Sequence, residues 1–212
     1  MINLNKMQYY DFPYIDLIDS CKTIFINSQY IRYLEDWKYM FNKCNFLIDY
    51  ELRQFISICE TLNDKYEYYP FEQLFSNLSA NYIYHFNIRE ILKKVNFNLY
   101  KVVPIKEFGS NIQYSEMNVP NSFNNKPILM VPFILPDYNY LVIDGNRRLN
   151  FNIYNNLPYI KSIIYNPFNK SDFIFSIDWC MYWFSQEINS LDAMNLICQI
   201  NNSILYKKFN DL

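Results

Sequence analysis

The sequence predicts an α+β fold, with an α-helical N-terminal region, a block of short strands and a helical tail. Three observations carry this. Over residues 31–62 apolar side chains recur at three- and four-residue steps, the period of a helix with one buried face. Near Asn96 the pattern changes to short apolar runs, at 99–105, 128–135, 140–143 and 159–165, bounded by Pro, Asn, Ser and Gly, as strands are. From Ser171 to about Phe209 the helical period returns. The chain therefore divides into a helical region at 1–96 and a strand-bearing domain with C-terminal helices at 97–212.

Each element has its own signal. Ile31, Leu34, Trp37 and Phe41 share one helix face. Asp49 is placed to cap a second helix over Glu51–Leu62, whose buried face is Leu52, Phe55, Ile56 and Cys59. Pro70 before Phe71-Glu72-Gln73-Leu74-Phe75 predicts a helix just after the proline. Asn87 predicts a cap for a helix over Ile88–Val95, with Lys93 and Lys94 at the end the dipole favours. Segment 109–127, rich in Asn, Ser and Pro, reads as loop or broken helix. The runs Ile128–Leu135 and Tyr140–Ile143 form a hairpin around Pro136-Asp137-Tyr138-Asn139, with Pro132 moving the first strand to an edge or ending it early. A short helix follows over Asn146–Asn155, then a strand over Tyr159–Tyr165. The tail stripe is Leu191, Met194, Leu196, Ile197, Ile200 and Ile204.

Composition excludes several classes. With 212 residues, 51% apolar and 19% charged, the chain can bury a core without metals or disulfides. Net charge is −2, which argues against a broad electrostatic footprint on DNA and leaves room only for a local basic patch. No run of about 18 apolar residues is present to span a membrane. The opening Met1-Ile2-Asn3-Leu4-Asn5-Lys6 has no basic region before an apolar core, so a cytoplasmic protein is expected. Five scattered cysteines (Cys21, Cys44, Cys59, Cys180, Cys198) without a C-x-x-C, and the single His85, point to reduced thiols and no metal site. His85, between Tyr84 and Phe86, reads as a packed side chain. The 21 tyrosines follow from a codon supply rich in A and T, and serve as amphipathic filler.

One motif stands out. The chain holds two glycines, and one of them, Gly145, sits in Leu141-Val142-Ile143-Asp144-Gly145-Asn146-Arg147-Arg148-Leu149. In a sequence that otherwise avoids glycine, this strand-to-helix junction needs either a positive φ or the close approach of a ligand or a second backbone. Two arginines follow in the first helical turn, where cations oppose the helix dipole unless an anion compensates. Exposed amides, dipole and planar guanidinium donors together suit phosphate. The same residues also fit a plain turn closed by a salt bridge from Asp144.

The stretch Pro127-Ile128-Leu129-Met130-Val131, then Tyr140 through Leu149, then Leu157-Pro158-Tyr159-Ile160-Lys161-Ser162-Ile163-Ile164 resembles the ParB/sulfiredoxin superfamily. The pattern there is P-I-x-V, a strand, a D-G-x-[HR]-R helix start, then a strand of the form P-x-x-V. Met130 and Lys161 replace valines of that pattern, and the resemblance covers residues 99–168. It implies a small mixed sheet with helices, and a motif loop that holds the phosphates of ATP or CTP. Asp144 and Gly145 match the D-G, and Arg148 matches the phosphate-contacting arginine. Gly145-Asn146-Arg147-Arg148 also aligns with the G-E-R-R of partition proteins. Asn146 stands in place of their glutamate and of the sulfiredoxin cysteine, so sulfinic-acid repair is excluded.

The resemblance thus implies a bacterial nucleotide- or phosphate-binding protein, regulatory or associated with defence or plasmids, with Gly145, Asn146, Arg147 and Arg148 as the ligand loop. An enzyme of this type would be a nucleotide-dependent phosphotransferase or a nucleoside triphosphatase. A second reading is a non-enzymatic immunity- or antitoxin-like protein that binds a protein partner through its aromatic N-terminal half. A third is a free-serine-type kinase, with Asp144 and Glu107 or Glu116 as acid/base groups and Mg²⁺ bridging the phosphates.

Overall fold

The structure, a computed structural model, describes residues 13–62, 72–74, 81–116, 118, 124–133 and 138–208. It is mixed α+β and divides into two compact units. One gathers Met1–Tyr66, Pro70–His85 and Phe173–Leu212, and the other Glu67–Tyr69 and Phe86–Asp172. The division differs from a boundary at 96/97, because the C-terminal helices close the core of the N-terminal ones.

In the helical unit, α1 (Tyr14–Cys21), for which the sequence reading had no element, precedes α2 (Ser28–Leu62). Asn27 starts α2 by accepting from the amides of Gln29 and Tyr30 at 2.8 and 3.2 Å, as an N-cap does. Residues 28–62 contain neither glycine nor proline, so two expected helices merge into one and Asp49 lies within it rather than capping a second. The buried stripe runs Tyr30, Tyr33, Leu34, Trp37, Met40, Phe41, Cys44 and Ile48, wider than expected, with Ile31 only half-buried at its margin. Against it packs α5 (Ser176–Ser190), which buries Trp179, Cys180 and Phe184. Trp37 meets Phe184 edge-on at 5.7 Å and tilts against Trp179 at 6.4 Å. Glu51, on α2, accepts from the Ser176 amide at 2.9 Å, which satisfies a first-turn donor of α5.

Two short helices, α6 (Leu196–Asn201) and α7 (Ile204–Lys208), end the described chain. Between α5 and α6 the Asp192 carboxylate accepts from the Met194 amide and the Asn195 side chain at 2.8 and 2.7 Å. This turn shifts the phase of the stripe: Leu196, Ile200 and Ile204 are buried, while Met194 and Ile197 are exposed. The helix expected after Pro70 is instead a strand, β1 (Glu72–Leu74), paired antiparallel with β2 (Asn81–Ile83). Backbone pairing with β2 overrides the local helix-start signal. Pro70, Phe71 and Phe75 lie outside the described residues.

His85 is buried with Nδ1 3.3 Å from the Asp178 carboxylate, and its ring meets Phe175 edge-on at 5.6 Å. It is packed, as read. Cys44 and Cys180 face one another at 3.2 Å between sulfurs in the same core.

In the sheet unit, α3 (Ile88–Lys94) starts as expected, with Asn87 Oδ1 accepting from the Glu90 amide at 3.3 Å. A five-stranded mixed sheet follows, built from β3 (Lys101–Pro104), β4 (Ile112–Gln113), β5 (Ile128–Pro132), β6 (Tyr140–Asp144) and β7 (Tyr159–Ile164), in spatial order β3-β7-β5-β6-β4. The hairpin pairs β5 with β6 as read, and the Phe133 amide closes it on the Asn139 carbonyl at 2.8 Å. Residues 134–137 of its turn lie outside the described residues. Pro132 ends β5 early, yet β5 is central rather than an edge. Between β6 and β7 runs α4 (Asn146–Tyr154). Leu149 of α4 joins Ile112, Ile128, Met130, Val142 and Ile160 in one aliphatic core. Among the described residues no helix is long and apolar enough to cross a membrane.

Candidate functional site

Strand β6 delivers Asp144 to the start of α4, and Gly145 makes the corner with φ 92° and ψ 16°, in the left-handed region. The positive φ expected for this glycine is present. A Cβ there would stand 2.6 Å from Arg148 Nη2 and 2.7 Å from Ile128 Cγ2. The guanidinium end can swing aside. Ile128 is fully buried and cannot move without disturbing the core. Close approach of neighbouring side chains thus adds to the backbone requirement.

The two arginines differ sharply. Arg148 turns back over the corner, donating from Nη2 to the Pro127 carbonyl at 3.1 Å and to Asp144 Oδ2 at 3.3 Å. Its side chain is 18% exposed and that of Asp144 21%. The structure therefore uses Arg148 to tie the head of β5 to the end of β6, which is the salt-bridged turn the sequence also allowed. Its Nε is buried with no partner among the described residues. Arg147 is exposed and has no hydrogen bond or ion pair among the described residues.

Asn146 is 2% exposed. Its Oδ1 accepts from the Ser115 amide at 3.0 Å and its Nδ2 faces the Val142 carbonyl at 3.4 Å. The side chain expected to meet a ligand is thus engaged in bracing the loop. Asn150 adds a second brace, donating to the Ser115 carbonyl at 2.9 Å. No side chain caps α4, so its first-turn amides have no side-chain acceptor.

The acid/base candidates separate. Glu116 is exposed and adjoins Ser115, so the braces hold it near the start of α4. Glu107 lies in a 3₁₀ turn after β3 and accepts from Asn111 Nδ2 at 2.8 Å. Asn111 in turn accepts from the Asn139 amide at 2.8 Å, beside the first residue of β6. Glu107 therefore stands at the opposite end of β6 from Gly145, about 15 Å away along the strand. Asp144 and Glu116 belong to one corner, and Glu107 does not. Among the described residues no group of three or more His, Cys, Asp or Glu side chains is placed to hold a metal.

The sequence reading missed a second feature of this unit. An open groove of about 600 Å³ is lined by Phe97, Tyr100, Lys126, Pro127 and Lys161, with Asn98 and Asn125. These residues come from three separate segments, and the sequence signal that could have found them is the absence of Asp and Glu around each. No family model, curated protein or solved structure matches this chain.

Proposed function

We propose that this chain is a phosphate- or nucleotide-binding protein of ParB/sulfiredoxin-like type, with its ligand loop at Gly145–Arg147. One observation carries the reading: α4 begins at a left-handed glycine with no side-chain cap, and the exposed Arg147 stands beside its first-turn amides without a counter-charge among the described residues. A phosphate there would meet backbone donors, the helix dipole and a guanidinium together. The order β5, β6, glycine corner, α4, β7 also supports the reading, since the resembling motif carries its elements in that order. Arg148 and Asn146 brace the loop, and Arg147 is the residue left for the anion.

Calorimetric titration with ATP, CTP, GTP and ADP, with and without Mg²⁺, tests this. Binding tighter than about 1 mM by at least one of them is expected. Arg147→Ala should weaken it by about 10- to 100-fold. Absence of binding by all four, or binding indifferent to Arg147→Ala, overturns the reading.

A second reading has its own observation. On α2, Tyr39, Phe46 and Tyr50 are exposed at seven- and four-residue spacing, Phe46 at 87%, which is one face of a helix. Exposed aromatics in such a stripe suit a protein partner. A partner retained by the wild type and released by Phe46→Glu would favour this reading, and retention by the variant would remove its basis. Tyr30, Tyr33 and Trp37 are fully buried and are not anchors.

A further inference from the structure

The net charge of −2 conceals an opposition between the two units. The sheet unit carries ten basic and seven acidic residues, and the helical unit nine basic and fourteen acidic. Within the sheet unit the acids are also excluded locally. Segments 91–106, 117–136 and 145–171 contain no Asp or Glu at all. These are the three segments that line the groove: Phe97, Asn98 and Tyr100 from the first, Lys126 and Pro127 from the second, Lys161 from the third. Neither Lys126 nor Lys161 has a carboxylate partner among the described residues. Lys161 Nζ rests instead over the Tyr100 ring, 4.8 Å from its centroid, an ammonium held by a π-face.

The sheet register extends this surface beyond the groove. Lys161 pairs with Val102 and Tyr159 with Pro104. Alternation along the strands therefore puts Tyr159 and Lys161 on one face of β7, beside Val102. Val102 is 58% exposed and Tyr159 56%. Tyr100, one residue before β3, lies level with Ile163. Tyr100 and Tyr159 are thus two exposed rings about 13 Å apart along the sheet, with the lysine between them. A polymer spans that distance and a single base does not.

We propose that this face, from the Phe97–Tyr100 groove to Tyr159, binds single-stranded nucleic acid, with bases stacked on Tyr159 and, as Lys161 swings from the ring to a phosphate, on Tyr100, and a second phosphate met by Lys126. Aromatic platforms alternating with unpaired cations are the chemistry that single strands require. A duplex hides its base faces and would offer phosphates and base edges but nothing for the tyrosines to stack on. The site differs from the Gly145 corner in residues and in ligand, and does not depend on it.

Fluorescence anisotropy with labelled thymidine and uridine oligomers of about twelve nucleotides, at low salt, tests the proposal. Binding should fall with salt at a log–log slope of about −1.4, for two phosphates neutralised. Tyr100→Ala and Tyr159→Ala should each weaken it by about tenfold. Lys126→Gln with Lys161→Gln should bring the slope close to zero. These positions are exposed or line an open groove, and thermal melts close to wild type will confirm that the variants fold. Arg147→Ala should leave oligomer affinity unchanged, and excess ATP or CTP should not displace the strand. The proposal is overturned if a duplex of equal length binds as well, if both tyrosine variants bind like wild type, or if mononucleotide competes as effectively as oligomer. Failure of the wild type to bind any of the four nucleotides, with oligomer binding intact, would sink the former reading and leave this one standing.

Discussion

The helical unit and the sheet unit draw on the same aromatic-rich composition and differ in which residues fill the core. In the helical unit the rings are the core: Tyr30, Tyr33, Trp37, Phe41, Trp179 and Phe184 are each 0–1% exposed. In the sheet unit the core around α4 is aliphatic, while Phe97, Tyr100, Tyr154, Tyr159 and Phe168 stand 41–74% exposed. The reason is geometric. Two long helices leave wide gaps between their axes that indole and phenol rings fill. A nine-residue helix lying on a small sheet is filled by Leu, Ile, Val and Met. Phe86 and Phe133 of the sheet unit are buried, but the exposed rings are free to serve as a surface, and the unit's positive charge agrees with that use.

The largest effect should come from the helical core. Trp37→Ala is expected to cost about 3–5 kcal/mol in urea unfolding, whereas Tyr100→Ala should cost less than about 1 kcal/mol. Similar costs for the two would erase the contrast between the units. Trp37→Phe sharpens it further: the buried indole Nε1 makes no hydrogen bond of good geometry and only approaches the Tyr33 hydroxyl, so removing that donor offsets part of the lost volume. It should sit well nearer to wild type than Trp37→Ala.

The sheet unit's sensitivity is concentrated at its corner. Gly145→Val adds a β-branched side chain at positive φ, with its Cβ 2.7 Å from a buried Ile128 methyl. A cost of about 3 kcal/mol is expected, read as a fall in melting temperature on the order of 10 °C. Next comes Arg148→Ala, which removes the tie to Pro127 and Asp144. It should lower the melting temperature without ligand by about 2–6 °C. Charge alone would give the opposite sign, since the variant removes a cation from a helix start. An unchanged or higher melting temperature would show that the tie contributes nothing.

The smallest effect is a pH dependence confined to the helical unit. Glu187 accepts from Tyr33 Oη at 2.8 Å and from the Ile204 amide at 2.6 Å, with Ser203 Oγ as a further donor. Burial raises its pKa above the ordinary carboxylate value, and the donors only partly oppose this. A raised folded-state value means that the folded protein holds the proton more tightly than the unfolded chain. The contribution is therefore fully present below the unfolded pKa and is lost as pH rises through the folded one. Melting temperature should fall across that window just above the usual carboxylate range. In Glu187→Gln this component should vanish, and a profile identical to wild type would assign the slope to other groups.

Local signals were legible wherever the backbone answers to its own residues. Asn87 caps α3, the short apolar runs became β5, β6 and β7, and a glycine in a glycine-poor chain marked a corner that needs positive φ. Other features required partners distant in sequence. A strand at 72–74 exists because 81–83 pairs with it, and Arg148 leaves the helix start for the carbonyl of Pro127, 21 residues earlier. The merging of two helices into α2 was within reach, since nothing between Ser28 and Leu62 breaks a helix. By itself the sequence determined the element types from α3 through β7 apart from β4, the glycine corner and the acid-free segments, because these follow from side-chain period, backbone sterics and composition. Only the tertiary structure decided that the C-terminal helices join the N-terminal ones, that the two arginines part company, and that three acid-free segments meet in one groove. Each of those depends on the free energy of burying surfaces contributed by residues far apart in the chain, which no local window contains.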